Sequence, residues 1–100
     1  MENAFTTLDE IEKLAAAMLL WPEDDRVTWY KKIDPFLLKL EGALTASPDE
    51  DASRILSELK LHLIMMARLY EPDDLTDDQH HARLLAAIDA FRNCRWLAVK

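Results

Sequence analysis

The chain contains a single glycine, Gly42, among its 100 residues. Glycine is the residue that most readily adopts a positive φ, which phosphate-cradling loops and two-residue hairpin turns require. Its scarcity therefore argues against nucleotide-binding loops and β-rich folds. No segment alternates apolar and polar residues with a period of two, so the sequence predicts no strands.

Apolar residues instead recur at steps of three and four along four segments, and half of all residues are hydrophobic. This pattern predicts helices over about 8–21, 22–45, 48–70 and 77–98. Short connections force successive helices to run antiparallel. The sequence therefore predicts an all-α fold, a small up-down helical bundle of four helices, built as a single domain over residues 1–100.

Three of the four helix starts match the capping box, in which two side chains three residues apart satisfy free backbone amides reciprocally. The pairs are Thr7 with Glu10, Ser47 with Glu50, and Thr76 with Gln79. The remaining start is Pro22, followed by three acidic residues that suit the positive end of a helix dipole.

Pro35 lies inside the second helical segment, where it either breaks the helix, with a restart at Asp34, or bends it. At 100° per residue, the apolar positions keep their phase across the proline, and Pro35 falls on the opposite face. This phase favours one bent helix, because a lost hydrogen bond is tolerated on the wet, convex side.

The up-down topology brings the second and fourth helix starts to the same end of the molecule. We name the acidic residues expected there the acidic pole: Glu23, Asp24, Asp25, Asp73, Asp74, Asp77 and Asp78. At the other end, the acids at 49–51 are expected to meet Arg92 and Arg95. The sequence thus predicts one strongly acidic end and one of mixed charge.

The third helix is apolar nearly all round between residues 59 and 70, which predicts a contact surface on its outer face. Trp96 falls off the main apolar stripe of the fourth helix. It is either partly exposed, where it could anchor a partner, or packed at the edge of the core. The expected partner interface comprises Leu61, Ile64, Met65, Arg68 and Trp96. Because a chain this short rarely encloses a whole helix, we expect a homodimer through the third helix.

The stretch 73–81 is the one place where the sequence suggests chemistry. Asp77 and His81 are four residues apart and could grip one metal ion, but His80 and His81 point 100° apart on a helix. The aspartates are better explained as capping and dipole acids, and the histidines, like His62 on the third helix, as residues flanking the core. We therefore expect no catalytic residues, no metal site and no cofactor.

The net charge of −7 argues against nucleic acids and anionic membranes as partners. A single cysteine, Cys94, fits a reducing compartment, and no leader or apolar span is evident, so a cytoplasmic location is expected. The favoured function is a non-enzymatic regulator that binds and modulates or inhibits another protein, such as an anti-activator, an immunity or antitoxin-like protein, or a small chaperone. The alternatives are an acidic nucleic-acid mimic that occupies a basic groove, and a metal-dependent hydrolase or metal-binding protein that uses residues 73–81.

Overall fold

A computed structural model of the protein describes residues 4–71 and 73–98. These residues form helices and connecting turns, with no strand among them, which confirms the all-α prediction. Four helices are long, and the fourth is followed by a short one. The elements are α1 (Ala4–Met18), a 3-10 turn (Glu23–Asp25), α2 (Arg26–Ala46), α3 (Glu50–Met66), α4 (Asp77–Arg92) and α5 (Arg95–Ala98). Within the described ranges, none of these helices has the length and apolar character needed to cross a membrane.

The helices pack as two hairpins, α1 against α2 and α3 against α4. Smaller contacts of α1 with α4 and of α2 with α3 join the hairpins side by side. This arrangement is compatible with the predicted up-down bundle. The fully buried side chains at its centre include Leu8, Ile11, Ile33, Leu37, Leu59, Leu63, Leu84, Ile88 and Phe91.

Pro35 lies inside α2, which continues on both sides of it as one helix. The proline is exposed, whereas its near neighbours Ile33 and Leu37 are fully buried. The continuous phase of the apolar stripe therefore identified one helix, with its proline on the face turned to solvent.

The predicted start of α1 is wrong, because the helix already includes Ala4. Thr7 is therefore a helical residue and not an N-cap. Its side chain is only 3 % exposed and shares the buried face with Ile11, Ala15 and Met18, at steps of four and three. The capping-box motif at Thr7 and Glu10 was thus a coincidence of residue types within a longer helix.

The predicted start of α3 is also wrong. Its N-cap is Asp49, whose carboxylate accepts a hydrogen bond from the amide of Ala52 at 2.9 Å. Ser47 instead ends α2, with its amide bonded to the carbonyl of Ala43. Pro48 then precedes the cap, where it separates the two helices.

The predicted capping box at the start of α4 is confirmed. The amide of Gln79 donates to Thr76 Oγ1 at 3.2 Å, and the amide of Thr76 donates to Gln79 Oε1 at 2.8 Å. These two bonds satisfy backbone donors that the first turn of a helix leaves free.

At the end of the molecule opposite the acidic pole, the expected pairing of Arg92 with the acids at 49–51 does not form. Arg92 instead makes ion pairs with Asp9 and Glu12 of α1 and with Asp89 of its own helix. The two corners still meet at this end, since Trp96 Nε1 donates to the carbonyl of Ser47 at 2.7 Å.

Candidate functional site

The acidic pole is held together by two arginines. Arg68 Nη2 lies 2.8 Å from Asp77 Oδ1 and 3.2 Å from Glu23 Oε1, so it joins the start of α4 to the 3-10 turn. Arg26 Nη1 lies 2.9 Å from Asp77 Oδ2. The structure therefore brings the two acid-rich corners together. The cations between them are Arg26, which the sequence analysis did not single out, and Arg68, which it assigned to the partner interface.

Arg26 is the deeper of these cations, with its side chain only 8 % exposed. Besides Asp77, it donates to the carbonyl of Met66 at 3.1 Å and, through Nε, to the carbonyl of Trp21 at 3.2 Å. One guanidinium thus satisfies the last carbonyl of α3, the carbonyl of Trp21 in the turn after α1, and a carboxylate in the first turn of α4. The sequence carried a signal for this role, because Arg26 precedes the buried Ile33 by seven residues and so shares its face.

Asp77 is the acid that forms ion pairs with both of these arginines. Burial alone would raise the pKa of its carboxyl, but the hydrogen bond from Arg26 and the charges of Arg26 and Arg68 outweigh burial and lower that pKa. Asp77 is therefore a structural carboxylate. Its engagement with two guanidinium groups also removes it as a partner for His81 in the metal site considered from the sequence.

Arg68 occupies a backbone conformation that glycine usually fills, with φ at 63°. It follows α3 as the left-handed residue of a Schellman motif: its amide bonds the carbonyl of Met65, and the amide of Leu69 bonds the carbonyl of Ile64. This conformation is less stable by roughly 1–2 kcal/mol for a residue other than glycine. The ion pairs of Arg68 with Glu23 and Asp77 are the evident compensation, and the motif explains why α3 ends before residue 70.

Four members of the acidic pole remain exposed and make no ion pair with any residue in 4–71 or 73–98: Asp24, Asp25, Asp74 and Asp78. Exposed apolar side chains lie beside one of these acids, Asp24. Leu69 is 42 % and Tyr70 61 % exposed, and both line a shallow cleft with Glu23 and Asp24, which we name the pole cleft. This end of the molecule is therefore acidic and apolar at once.

Trp21, just before the 3-10 turn, is a further exposed apolar residue. Its side chain is 48 % exposed, and its ring packs on that of Trp29 with centroids 5.7 Å apart. Leu20 beside it is the most exposed large apolar residue described, at 86 %. The tight turn that follows α1 holds both outward, since its amides bond the carbonyls of Ala17 and Met18.

The outer face of α3 is less open than the sequence predicts. Leu61 is exposed and Ile64 is half-buried, but Met65 is buried, and Arg68 is engaged in the ion pairs described above. Of the residues expected to form the partner interface, Leu61 is therefore the one that is both apolar and exposed.

Of the two alternatives for Trp96, partial exposure is wrong. Its side chain is 5 % exposed, packs edge-on against Phe91 and donates to Ser47. The physical reason is the turn at residues 93–94, which separates α4 from α5. The turn resets the helical phase, so a residue that falls off the stripe of α4 rotates into the core.

A chain of hydrogen bonds that the sequence analysis missed runs from Asp73 through His80 to His62. Asp73 Oδ1 lies 2.9 Å from His80 Nε2, and His80 Nδ1 lies 3.0 Å from His62 Nδ1. His80 is only 2 % exposed, so it lies within the core, whereas the sequence predicted a residue that flanks it. Eighteen positions separate the two histidines along the chain, so only the packing of α3 on α4 reveals their contact.

Within the part of the chain that is described, no group of three or more histidine, cysteine, aspartate or glutamate side chains is placed to hold a metal ion. The histidine chain therefore stands as a hydrogen-bonded relay and the acidic pole as a charged, partly apolar surface. Comparison with protein-family models, with curated proteins and with solved structures gave no match.

Proposed function

We propose that the protein is a non-enzymatic binding module that docks a basic, partly apolar segment of another protein on its acidic pole and thereby modulates that partner. The observation that carries this proposal is the unpaired carboxylate of Asp24 beside the exposed side chains of Leu69 and Tyr70 in the pole cleft.

The chemistry of the pole specifies the chemistry of the partner. Exposed large apolar side chains gain free energy when a partner removes them from water, by about 25 cal/mol per Å² of apolar surface. The carboxylates around them favour lysine and arginine on the partner and speed its approach. An amphipathic segment with basic and apolar residues meets both requirements.

The alternative of a nucleic-acid mimic fits this surface less well. A mimic of phosphate relies on regularly placed free carboxylates, whereas Glu23 and Asp77 are neutralised by the arginines of the pole. Exposed tryptophan and tyrosine beside the acids favour a protein surface with apolar side chains of its own.

A second copy of the chain is the proposed occupant of the groove between α3 and α4. This groove is lined by Leu61, His62, Glu58, Arg83 and three alanines of α4. The alanines permit a close approach of helices, and a two-fold pairing of groove on groove can set Glu58 of one copy against Arg83 of the other. The proposed homodimer therefore centres on Leu61, not on Met65.

Light scattering coupled to size exclusion tests this dimer. The wild type is expected to be dimeric at micromolar concentration and Leu61→Glu monomeric, because the substitution puts a carboxylate into the apolar contact. Leu38→Glu is the matched control, since Leu38 is an exposed leucine on α2 and lies outside this groove. A monomeric wild type, or equal effects of both substitutions, contradicts the proposal.

Peptide titration tests the pole. A helical peptide of lysine and leucine at amphipathic spacing is expected to shift the backbone amide signals of residues 23–27 and 67–70, with an affinity that falls as salt increases. A peptide of the same composition in scrambled order is the control for charge alone. Shifts confined to other surfaces, or equal binding of the scrambled peptide, contradict the proposal.

A further inference from the structure

The contact between His62 and His80 constrains the protons on both rings. A carboxylate only accepts hydrogen bonds, so His80 Nε2, 2.9 Å from Asp73, carries a proton. The two Nδ1 atoms lie 3.0 Å apart, so one of them must donate and the other must be bare. The bridge therefore holds a single proton.

The hydrogen bond between the two Nδ1 atoms can therefore form when the pair of rings is neutral or carries one positive charge, but not when both rings are charged. With both rings neutral, His80 has a bare Nδ1, so His62 must be the donor and its Nε2 must be bare. One added proton makes the pair singly charged and still leaves one bare Nδ1. A second added proton puts hydrogen on both Nδ1 atoms, and the two cations then repel at contact distance.

We propose that the His62–His80 contact is a proton-operated latch. While the one shared proton closes it, the His80 ring is held in place, and through Asp73 it holds residues 73–76 against the α3–α4 hairpin. When both rings are charged, the contact breaks and the His80 ring turns away, and Asp73 moves with that ring because a charged imidazole holds the carboxylate more strongly than a neutral one does. Opening therefore moves a segment that contributes Asp73 and Asp74 to the acidic pole. His62 also lines the groove proposed for the dimer, but the latch contact lies within one copy of the chain, so it can be tested without a partner.

The charged groups around His62 determine the pH range in which the latch opens. Burial lowers the pKa of His62, and the charges of His80 and Arg83 on α4 lower it further. Glu58 on α3 and Asp73 before α4 act in the opposite direction but do not reverse the shift. His62 therefore resists protonation at neutral pH, and opening belongs to acidic conditions, below the ordinary histidine value of 6.5.

Imidazole nitrogen shifts in the NMR spectrum of the whole protein test the closed state. At pH 8, His80 is expected to carry its proton on Nε2 and His62 on Nδ1, the less common tautomer of a free histidine. On acidification, we expect the ring signals of His62 to titrate below pH 6.5 and the amides of residues 73–76 to shift together with them. Both rings as Nε2–H tautomers at pH 8, or a titration of His62 that leaves these amides unchanged, would overturn the latch.

Substitutions separate the latch from general acid sensitivity. His62→Gln keeps a donor for His80 but cannot titrate, so it is expected to abolish the acid-linked shift of residues 73–76. His81→Gln is the matched control: His81 Nε2 is buried without a hydrogen bond to any residue in the described ranges, and it is the rival source of a response. The response should survive in His81→Gln. Its persistence in His62→Gln, or its loss in His81→Gln, would overturn the proposal.

Discussion

Replacing Asp77 with asparagine tests the ion pairs that join the two corners of the acidic pole. The substitution keeps the size of the side chain but leaves Arg26, whose side chain is 8 % exposed, without its carboxylate. Removal of one partner from a fully buried ion pair costs about 3–5 kcal/mol. Asp77 is itself 27 % exposed, and Arg26 keeps its hydrogen bonds to two backbone carbonyls. We therefore expect the free energy of unfolding to fall by about 2–3 kcal/mol.

Urea unfolding at pH 7 measures this loss by linear extrapolation. Asp78→Asn is the matched control, because Asp78 is also an acid in the first turn of α4 but is exposed and unpaired. The unfolding free energy of this control should fall by only about 0.5 kcal/mol, the contribution of the interaction between the Asp78 carboxylate and the helix dipole. Equal losses for the two variants would refute the claim that the arginines use Asp77 to hold the pole.

The same pair of variants has a pH signature. Because the folded protein lowers the pKa of Asp77 below its ordinary value of 3.8, its contribution to stability is complete above that value and is lost as the pH falls below it. The difference between wild type and Asp77→Asn should therefore shrink below about pH 4. A difference that stays constant down to pH 2 would show that the lost stability does not come from the charged carboxylate.

Three further changes test other parts of the fold. Gly42→Ala should raise the unfolding free energy by about 0.5–1 kcal/mol, because Gly42 lies in α2 and a Cβ there meets no atom within 4 Å. A melting temperature that does not rise would contradict this. Thr76→Ala should lower the unfolding free energy by about 1 kcal/mol, because it removes the capping box. Urea unfolding measures this loss, and Thr45→Ala is the control, since Thr45 is an exposed threonine within α2. The contribution of His62 to stability should be complete above about pH 6.5 and decline below it, because the folded state lowers the pKa of His62, so that this residue binds fewer protons than in the unfolded state. If His62→Gln shows the same slope of unfolding free energy against pH, the decline belongs to another group.

Local patterns in the sequence were enough for the all-α class, the four long helices and the continuity of α2 through Pro35, because each depends on spacing within one segment. Helix ends were less predictable, since several residues compete for each end. Ser47 suits the start of α3, but it is already used to end α2, and Asp49 caps instead. The end of α3 at Met66 depends on Arg68, which adopts a left-handed conformation that its ion pairs support.

The candidate sites depended more strongly on tertiary structure. The proximity of the two acid-rich corners followed from the order of the helices alone. The role of Arg26 as their buried counter-ion required the packing of three elements, and the contact of His62 with His80 required the register of α3 on α4. Trp96 was misplaced because the phase of α4 was extended through a turn that resets it.

Affinity capture from the protein's native cells tests the acidic pole as a docking surface most directly when three baits are compared. The baits are the wild type, a pole variant combining Asp24→Lys with Tyr70→Ala, and a control variant combining Glu50→Lys with Leu38→Ala. Both variants change exposed residues without a described ion pair, so both should fold. We expect a basic protein to be retained by the wild type and the control and lost by the pole variant. A partner that the pole variant retains, or that the control loses equally, would contradict the account.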